Sequence, residues 1–175
     1  MRIIFLNRYF YPSPPPTGIL LSDLAFALAE RGVPVVVITS RLTYEDSNPL
    51  HPPRETIRGV DVYRVWTSSR SRSGLLGRSL DYVSFFFVAA WRLWRVARAN
   101  DVVVAKTDPP LLSVMAAPIV WLRGARLVNW LQDIFPEVAE ALQVGGRLGK
   151  IGFMLIRPLR NWSLASARLN VVVSA

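Results

Sequence analysis

The sequence predicts an α/β fold in which a doubly wound, mostly parallel sheet is covered by helices in three layers. Short apolar runs, typical of strands buried on both faces, alternate with longer segments that have helical spacing. The connections between successive strands are too long for hairpins, so most neighbouring strands should be parallel. We expect the strand order 3-2-1-4-5-6, with the third predicted strand at one edge.

The elements of the first half follow in order. Strand one covers residues 2–7 and ends at the polar Asn7, and a proline-rich loop then runs to Thr17-Gly18. Helical spacing continues to Arg31, and Gly32 ends it. Strand two covers 33–40, residues 41–57 read as a surface loop, and 59–66 alternates like a half-buried edge strand. A basic loop follows over 68–77.

The second half repeats the alternation of helix and strand. Helices are predicted over 78–99 and 111–122, and buried strands over 101–106 and 125–131. A short helix begins at Pro136 and ends near residue 142. After a glycine-rich break over 145–149, a last helix over 150–167 leads to a final strand over 169–174.

Composition excludes several classes of protein. The 175 residues suit one domain, and a hydrophobic fraction of 51% with 19% charged residues excludes a disordered chain. There is no cysteine, so no disulfide framework or thiolate metal site is expected. The single histidine, His51, lies in a predicted loop and reads as an ordinary surface residue. The net charge of +9 fits a plain basic surface, nucleic acid or anionic lipid.

The helix over 78–99 is a candidate for membrane contact. Its broad apolar face should point to the core: Leu80, Val83, Phe86, Phe87, Ala90, Leu93, Trp94 and Ala97. Apolar and cationic side chains mix on its other sides, as in a helix that lies at a bilayer surface. A covering loop is the alternative explanation. The expected membrane residues are Phe85, Val88, Trp91, Arg92 and Arg95.

Polar residues follow the predicted strands and should gather on one rim of the sheet. They are Asn7, Thr17, Gly18, Lys106, Asp108, Gln132 and Asp133. No G-x-G-x-x-G or P-loop sequence is present, which argues against a simple dinucleotide cradle. Gly18 can let the backbone approach one phosphate, or it is an ordinary helix-start residue. Asp133 can bond a sugar hydroxyl or cap the helix that follows.

Taken together, these segments resemble the N-terminal half of a retaining GT-B glycosyltransferase of glycosyltransferase family 4. Within that family the likeness is to bacterial enzymes that build O-antigen, capsule and other exopolysaccharides on lipid carriers. The segments that carry the resemblance are residues 3–7 with 11–12 and 17–18, 24–39, 101–105 with 108–110, 132–137 and 171–174. Their order and spacing match over the whole chain.

The resemblance implies two Rossmann-like domains with a cleft between them. Residues 1–175 would be the acceptor domain, the C-terminal nucleotide-sugar domain would be absent from this chain, and the isolated chain would be inactive. Expected partners are a nucleotide-sugar donor, a polyprenyl-linked glycan acceptor and an anionic membrane surface, but no nucleic acid. No metal or cofactor is expected. With no visible signal peptide, the protein should be cytoplasmic and peripheral on the inner face of the cell membrane.

The resemblance also assigns sides of the site, although no catalytic residue is certain. Thr17, Gly18, Gln132 and Asp133 would face the donor phosphate and sugar. The acceptor side would hold Asn7, Tyr9, Tyr11, Lys106, Asp108 and Glu137. Many family members have a histidine where this chain has Gln132, which cannot act as a base near pH 7. The alternative is a noncatalytic membrane-docking subunit that recruits a separate catalytic chain.

Overall fold

A computed structural model describes residues 1–12, 15–43, 51–69, 74–141 and 146–172. Seven strands and five helices lie in these ranges. In chain order they are β1 (Ile3–Leu6), α1 (Pro16–Glu30), β2 (Val35–Ser40), β3 (Arg54–Ile57), β4 (Val60–Val65), α2 (Gly74–Val96), β5 (Val102–Lys106), α3 (Leu112–Leu122), β6 (Arg126–Leu131), α4 (Glu137–Ala141), α5 (Gly146–Ser166) and β7 (Leu169–Val172).

The strands form one sheet in the order β3-β4-β2-β1-β5-β6-β7. All neighbours are parallel except β3 and β4, so the predicted order of the six parallel strands is confirmed. The expected loop over 41–57 is wrong in part, because β3 lies within it. Strand β4 is consequently not an edge strand. Arg58 and Gly59 join the two strands, both with positive φ, as in a two-residue type I′ hairpin turn.

Helices cover both faces of the sheet and give the predicted three layers. Helix α1 packs on the face that includes Phe5, Val37 and Val62. Helices α2 and α3 pack on the other face, over Ile4 and Val103. Helix α5 lies against α3 on the same side. The fold is therefore the Rossmann-like arrangement expected for the N-terminal half of a GT-B protein.

Helix α2 faces the core differently from the prediction. Every fourth residue is buried, and these are Asp81, Phe85, Ala89, Leu93 and, just beyond the helix, Ala97. The membrane assignment of Phe85 is therefore wrong, because its side chain is completely buried. Val88 packs partly against the same core. The helix is apolar on two opposite sides, so periodicity alone could not show which side the sheet would cover.

The opposite side of α2 is exposed, although four of its residues were expected in the core. We call this side the outer α2 stripe: Leu80, Val83, Phe87, Trp91 and Trp94. Phe87 is 74% exposed and Trp91 is 60% exposed. Among the described residues, no helix combines the length and the apolar character that a membrane crossing requires.

Candidate functional site

The carboxyl ends of the parallel strands meet at one edge of the sheet, as the sequence predicts. Asn7 follows β1, Lys106 ends β5, and Gln132-Asp133 follows β6. Helix α1 begins at this edge, after the loop that follows β1. The side chain of Thr17 lies outside the described residues, as do Arg70 and Arg72 of the predicted basic loop. We call this edge the rim.

Asn7 and Arg8 form the inner wall of the rim. Asn7 is buried, and its Nδ2 atom donates to the Tyr9 carbonyl at 2.7 Å, whereas its Oδ1 atom has no partner among the described residues. The backbone N–H of Arg8 donates to the Asp108 carbonyl at 2.9 Å, and its carbonyl accepts from Thr39 Oγ1 at 2.9 Å. Arg8 therefore ties the ends of β1, β2 and β5 together.

The Arg8 side chain is buried in a polar cluster that the sequence prediction missed. Its Nη2 atom lies 3.4 Å from Asp81 Oδ2, and Ser68 Oγ donates to the same carboxylate. The guanidinium carbon lies 5.1 Å and 5.2 Å from the ring centroids of Tyr9 and Tyr82. A charged residue directly after a buried strand is the only sequence signal for this cluster. The cluster fixes the start of α2 to the rim.

Lys106 and Asp108 lie beside this cluster. Lys106 is 2% exposed, and its Nζ atom lies 4.9 Å from the Trp130 ring centroid. Burial lowers the pKa of Lys106 to about 8, and the neighbouring Asp108 opposes that shift. Burial likewise raises the pKa of Asp108, against the influence of Arg8 and Lys106. Both residues thus belong to a charged wall with little solvent rather than to a solvated surface.

Tyr9 and Gln132 complete this part of the rim. Burial raises the pKa of the Tyr9 phenol, with Arg8 opposing the shift and Asp108 adding to it. The phenol consequently remains protonated near pH 7 and can donate a hydrogen bond. Gln132 is half-buried at the end of β6, next to the exposed Asp133.

A cavity of about 120 Å³ opens between the ends of β5 and β6. Its polar wall includes Lys106, Thr107, Ser113, Asp133 and Arg160. Leu111 and Phe135 supply part of its apolar wall. The exposed Asp133 carboxylate and the two cationic side chains give this cavity the mixture of polar and apolar groups that ligand sites have.

Glu137 is engaged with helix α5 rather than free at the rim. Arg160 donates to both of its carboxylate oxygens, at 3.1 Å and 2.6 Å. This pairing holds the pKa of Glu137 below its usual range. Because Arg160 also lines the cavity, the bidentate pair fixes the position of one cationic wall group.

Tyr11, in the loop after β1, is exposed to solvent, whereas Gly18, in the first turn of α1, is buried. Tyr11 is 45% exposed and meets Phe26 edge to face at 5.6 Å, next to a groove of about 320 Å³. Gly18 is buried, and its N–H donates to the Pro15 carbonyl at 2.7 Å. The N–H of Gly18 is therefore already bonded within the chain, as at an ordinary helix start. Helix α1 begins one turn earlier than expected, because prolines suit a first helical position.

Comparison with known proteins gives one family. The model of a family described as glycosyl transferase 4-like domain matches residues 18–175. A search of curated proteins found no match to the chain. The matched range includes every described strand except β1, together with all five helices apart from the first two residues of α1.

Proposed function

The chain belongs to the glycosyl transferase 4-like domain family, and from that membership we propose that its rim is the acceptor side of a retaining, two-domain GT-B glycosyltransferase. The observation that carries the proposal is the cavity between β5 and β6, which the exposed Asp133 lines together with Lys106 and Arg160. Open α/β sheets bind ligands at this edge. A carboxylate there can accept hydrogen bonds from sugar hydroxyls, and the cations favour a neighbouring diphosphate.

The acceptor that fits this rim is a glycan on a polyprenyl diphosphate, as in the synthesis of bacterial surface polysaccharides. Exposed aromatic rings such as Tyr11 offer a flat apolar surface to one face of a sugar. Beside this acceptor, Asp133 positions a hydroxyl of the donor sugar, and Gln132 contributes hydrogen bonds to that sugar without acting as a base. Glu137 acts indirectly, because its pair with Arg160 orders the cavity wall.

The donor side of the reaction requires a second surface. We assign the diphosphate of a nucleotide-sugar to the start of α1 around Thr17 and Gly18, although the Gly18 N–H itself is bonded to the Pro15 carbonyl. A further α/β domain would hold the nucleotide. Transfer breaks the bond between the anomeric carbon and the diphosphate oxygen and forms a bond from that carbon to an acceptor oxygen. The acceptor proton passes to the departing diphosphate. Residues 1–175 alone should therefore not transfer sugar.

Sugar transfer to a soluble acceptor tests this proposal. The probe is farnesyl-diphosphate-linked N-acetylglucosamine, offered with a panel of uridine, guanosine and thymidine diphosphate sugars. We expect transfer by the protein with its donor-binding domain, no transfer by residues 1–175 alone, and a loss of about 100-fold in Asp133→Asn. The matched control is Glu30→Gln, an exposed carboxylate at the far end of α1. Transfer by residues 1–175, or an unchanged Asp133→Asn, contradicts the proposal.

A further inference from the structure

The outer α2 stripe continues onto α3 as one exposed apolar surface. Phe87, Trp91 and Trp94 line a shallow groove of about 370 Å³ together with Ile119 of α3. Scattered exposed apolar residues are ordinary, but a contiguous aromatic surface on a monomer marks an interaction site.

Within the described part of the chain, the charged groups that lie against these tryptophan rings are cationic. The Arg95 guanidinium carbon lies 5.6 Å from the Trp91 ring centroid, and that of Arg123 lies 5.3 Å from the Trp94 ring centroid. Helix α2 contains one acidic residue, Asp81, which is buried against Arg8, and α3 contains none. The surface therefore combines exposed tryptophans with arginines and presents no carboxylate of its own helices.

We propose that this surface docks on an anionic lipid bilayer, with α2 lying in the plane of the headgroups. Tryptophan rings are suited to the boundary between headgroups and acyl chains, because one end is apolar and the other carries an N–H. Arginines at the same depth pair with lipid phosphates, and each basic side chain there adds to the attraction. Trp91 and Arg95 are among the membrane residues that the sequence predicts. The exposed phenylalanine of this surface is Phe87 and not the predicted Phe85.

Self-association is the main competitor, because the stripe has a spacing near seven residues from Leu80 through Phe87 to Trp94. A symmetric pair would bring the same surface of two copies together. Arg95 and Arg123 of both copies would then lie at the same interface, and neither α2 nor α3 supplies a carboxylate to compensate their positive charge. An anionic bilayer supplies that missing charge, which is why it is the partner that this surface fits.

Docking in this way also orients the rim. Helix α2 connects the end of β4 to the start of β5, so its first turns lie at the rim and its last turns at the opposite edge of the sheet. If the outer α2 stripe lies flat on the bilayer, its Leu80 end is next to the rim, and the rim is therefore held at the level of the headgroups. The inference does not rest on sugar transfer, because vesicle binding is measured without any substrate.

Vesicle co-sedimentation tests the inference with matched variants. The vesicles are phosphatidylcholine alone, or with about 30 mol % phosphatidylglycerol. We expect the unmodified protein to bind the anionic vesicles at about 50 mM salt and to dissociate at about 500 mM. Phe87→Ser with Trp91→Ser should weaken binding about tenfold or more, and Arg95→Glu with Arg123→Glu should do the same.

Two control variants separate this surface from general effects. Leu20→Ser with Leu24→Ser removes exposed apolar residues from α1, on the other face of the sheet. Arg31→Glu with Arg58→Glu changes the net charge by the same amount, away from α2 and α3. Both controls should bind like the unmodified protein. Equal loss in test and control variants would overturn the inference, since it would show attraction to the overall charge or a folding defect.

A second measurement compares the unmodified protein with one conservative variant. Brominated lipids quench tryptophan fluorescence at short range, so we expect quenching on anionic vesicles that falls in Trp91→Phe. No binding to anionic vesicles at low salt would overturn the inference. It would also be overturned by a concentration-dependent dimer that Phe87→Ser with Trp91→Ser converts to monomer, with vesicle binding unchanged. Neither result would bear on sugar transfer.

Discussion

The Nζ atom of Lys106 lies 4.9 Å from the centroid of the Trp130 ring. Lys106 itself is only 2% exposed. The two residues are direct neighbours across the parallel strands β5 and β6. Their contact explains how a cation is kept inside the sheet edge: the ring face offers attraction that partly replaces the lost water. The remaining cost of burial appears in the pKa of Lys106, which falls to about 8.

This pKa gives a prediction for stability against pH. Because the pKa of Lys106 is about 8 in the folded protein and 10.5 without burial, the unfolded chain binds more protons between these values. The free energy of unfolding should therefore rise with pH from about 8 to about 10.5, by something on the order of 2 kcal/mol. Lys106→Met should lack this part of the rise. Urea unfolding at pH 7 and pH 10 measures it, and equal pH slopes in both proteins would contradict it.

The buried pair of Arg8 and Asp81 gives a second prediction. Asp81→Ala should lower the free energy of unfolding by about 3 kcal/mol, because it leaves a guanidinium buried without its carboxylate. Arg8→Met combined with Asp81→Ala should cost less than the two single changes together. The control Asp23→Ala removes an exposed carboxylate from α1 and should change stability by less than about 0.5 kcal/mol. Strict additivity in the double variant would refute the coupling.

The sequence predicts the six parallel strands of the sheet but misses the antiparallel edge strand β3. Short runs of β-branched apolar residues such as 35–38 favour buried strands, and the carboxyl ends of parallel strands bring Lys106 and Asp133 to the same edge. Strand β3 was missed because three of its four residues, 54–57, are polar. In addition, its hairpin turn is Arg58-Gly59, which lacks the usual Asn-Gly signal.

The remaining differences concern contacts between distant parts of the chain. Periodicity shows that α2 is apolar but not which of its two apolar sides meets the sheet, so Phe85 and Phe87 were exchanged. Arg160 and Glu137 are 23 residues apart in the sequence, so no local sequence pattern predicts their ion pair. Tertiary packing decides such contacts, whereas the bond from the Gly18 N–H to the Pro15 carbonyl is local and follows from the early start of α1 at Pro16.

The exchange of Phe85 and Phe87 gives a third prediction. Phe85→Ala should lower the free energy of unfolding by about 3–5 kcal/mol, because it empties a fully buried position between α2 and the sheet. Phe87→Ala, two residues away, should change it by less than about 0.5 kcal/mol, because that ring is already in solvent. Guanidinium unfolding of the two variants compares them directly. Equal costs would mean that α2 is rotated from the position described.

Tyr11 gives a last prediction, which concerns the acceptor. Its ring is exposed at the rim end of the groove beside α1 and meets the Phe26 ring edge to face. If one face of an acceptor sugar stacks on this ring, Tyr11→Ala should raise the acceptor KM about tenfold and leave kcat within about twofold. Tyr11→Phe keeps the flat ring and should keep the KM, which separates stacking from a hydrogen bond by the phenol. A fall in kcat at unchanged KM would instead place Tyr11 at the reacting atoms, and no change in either constant would remove it from the acceptor site.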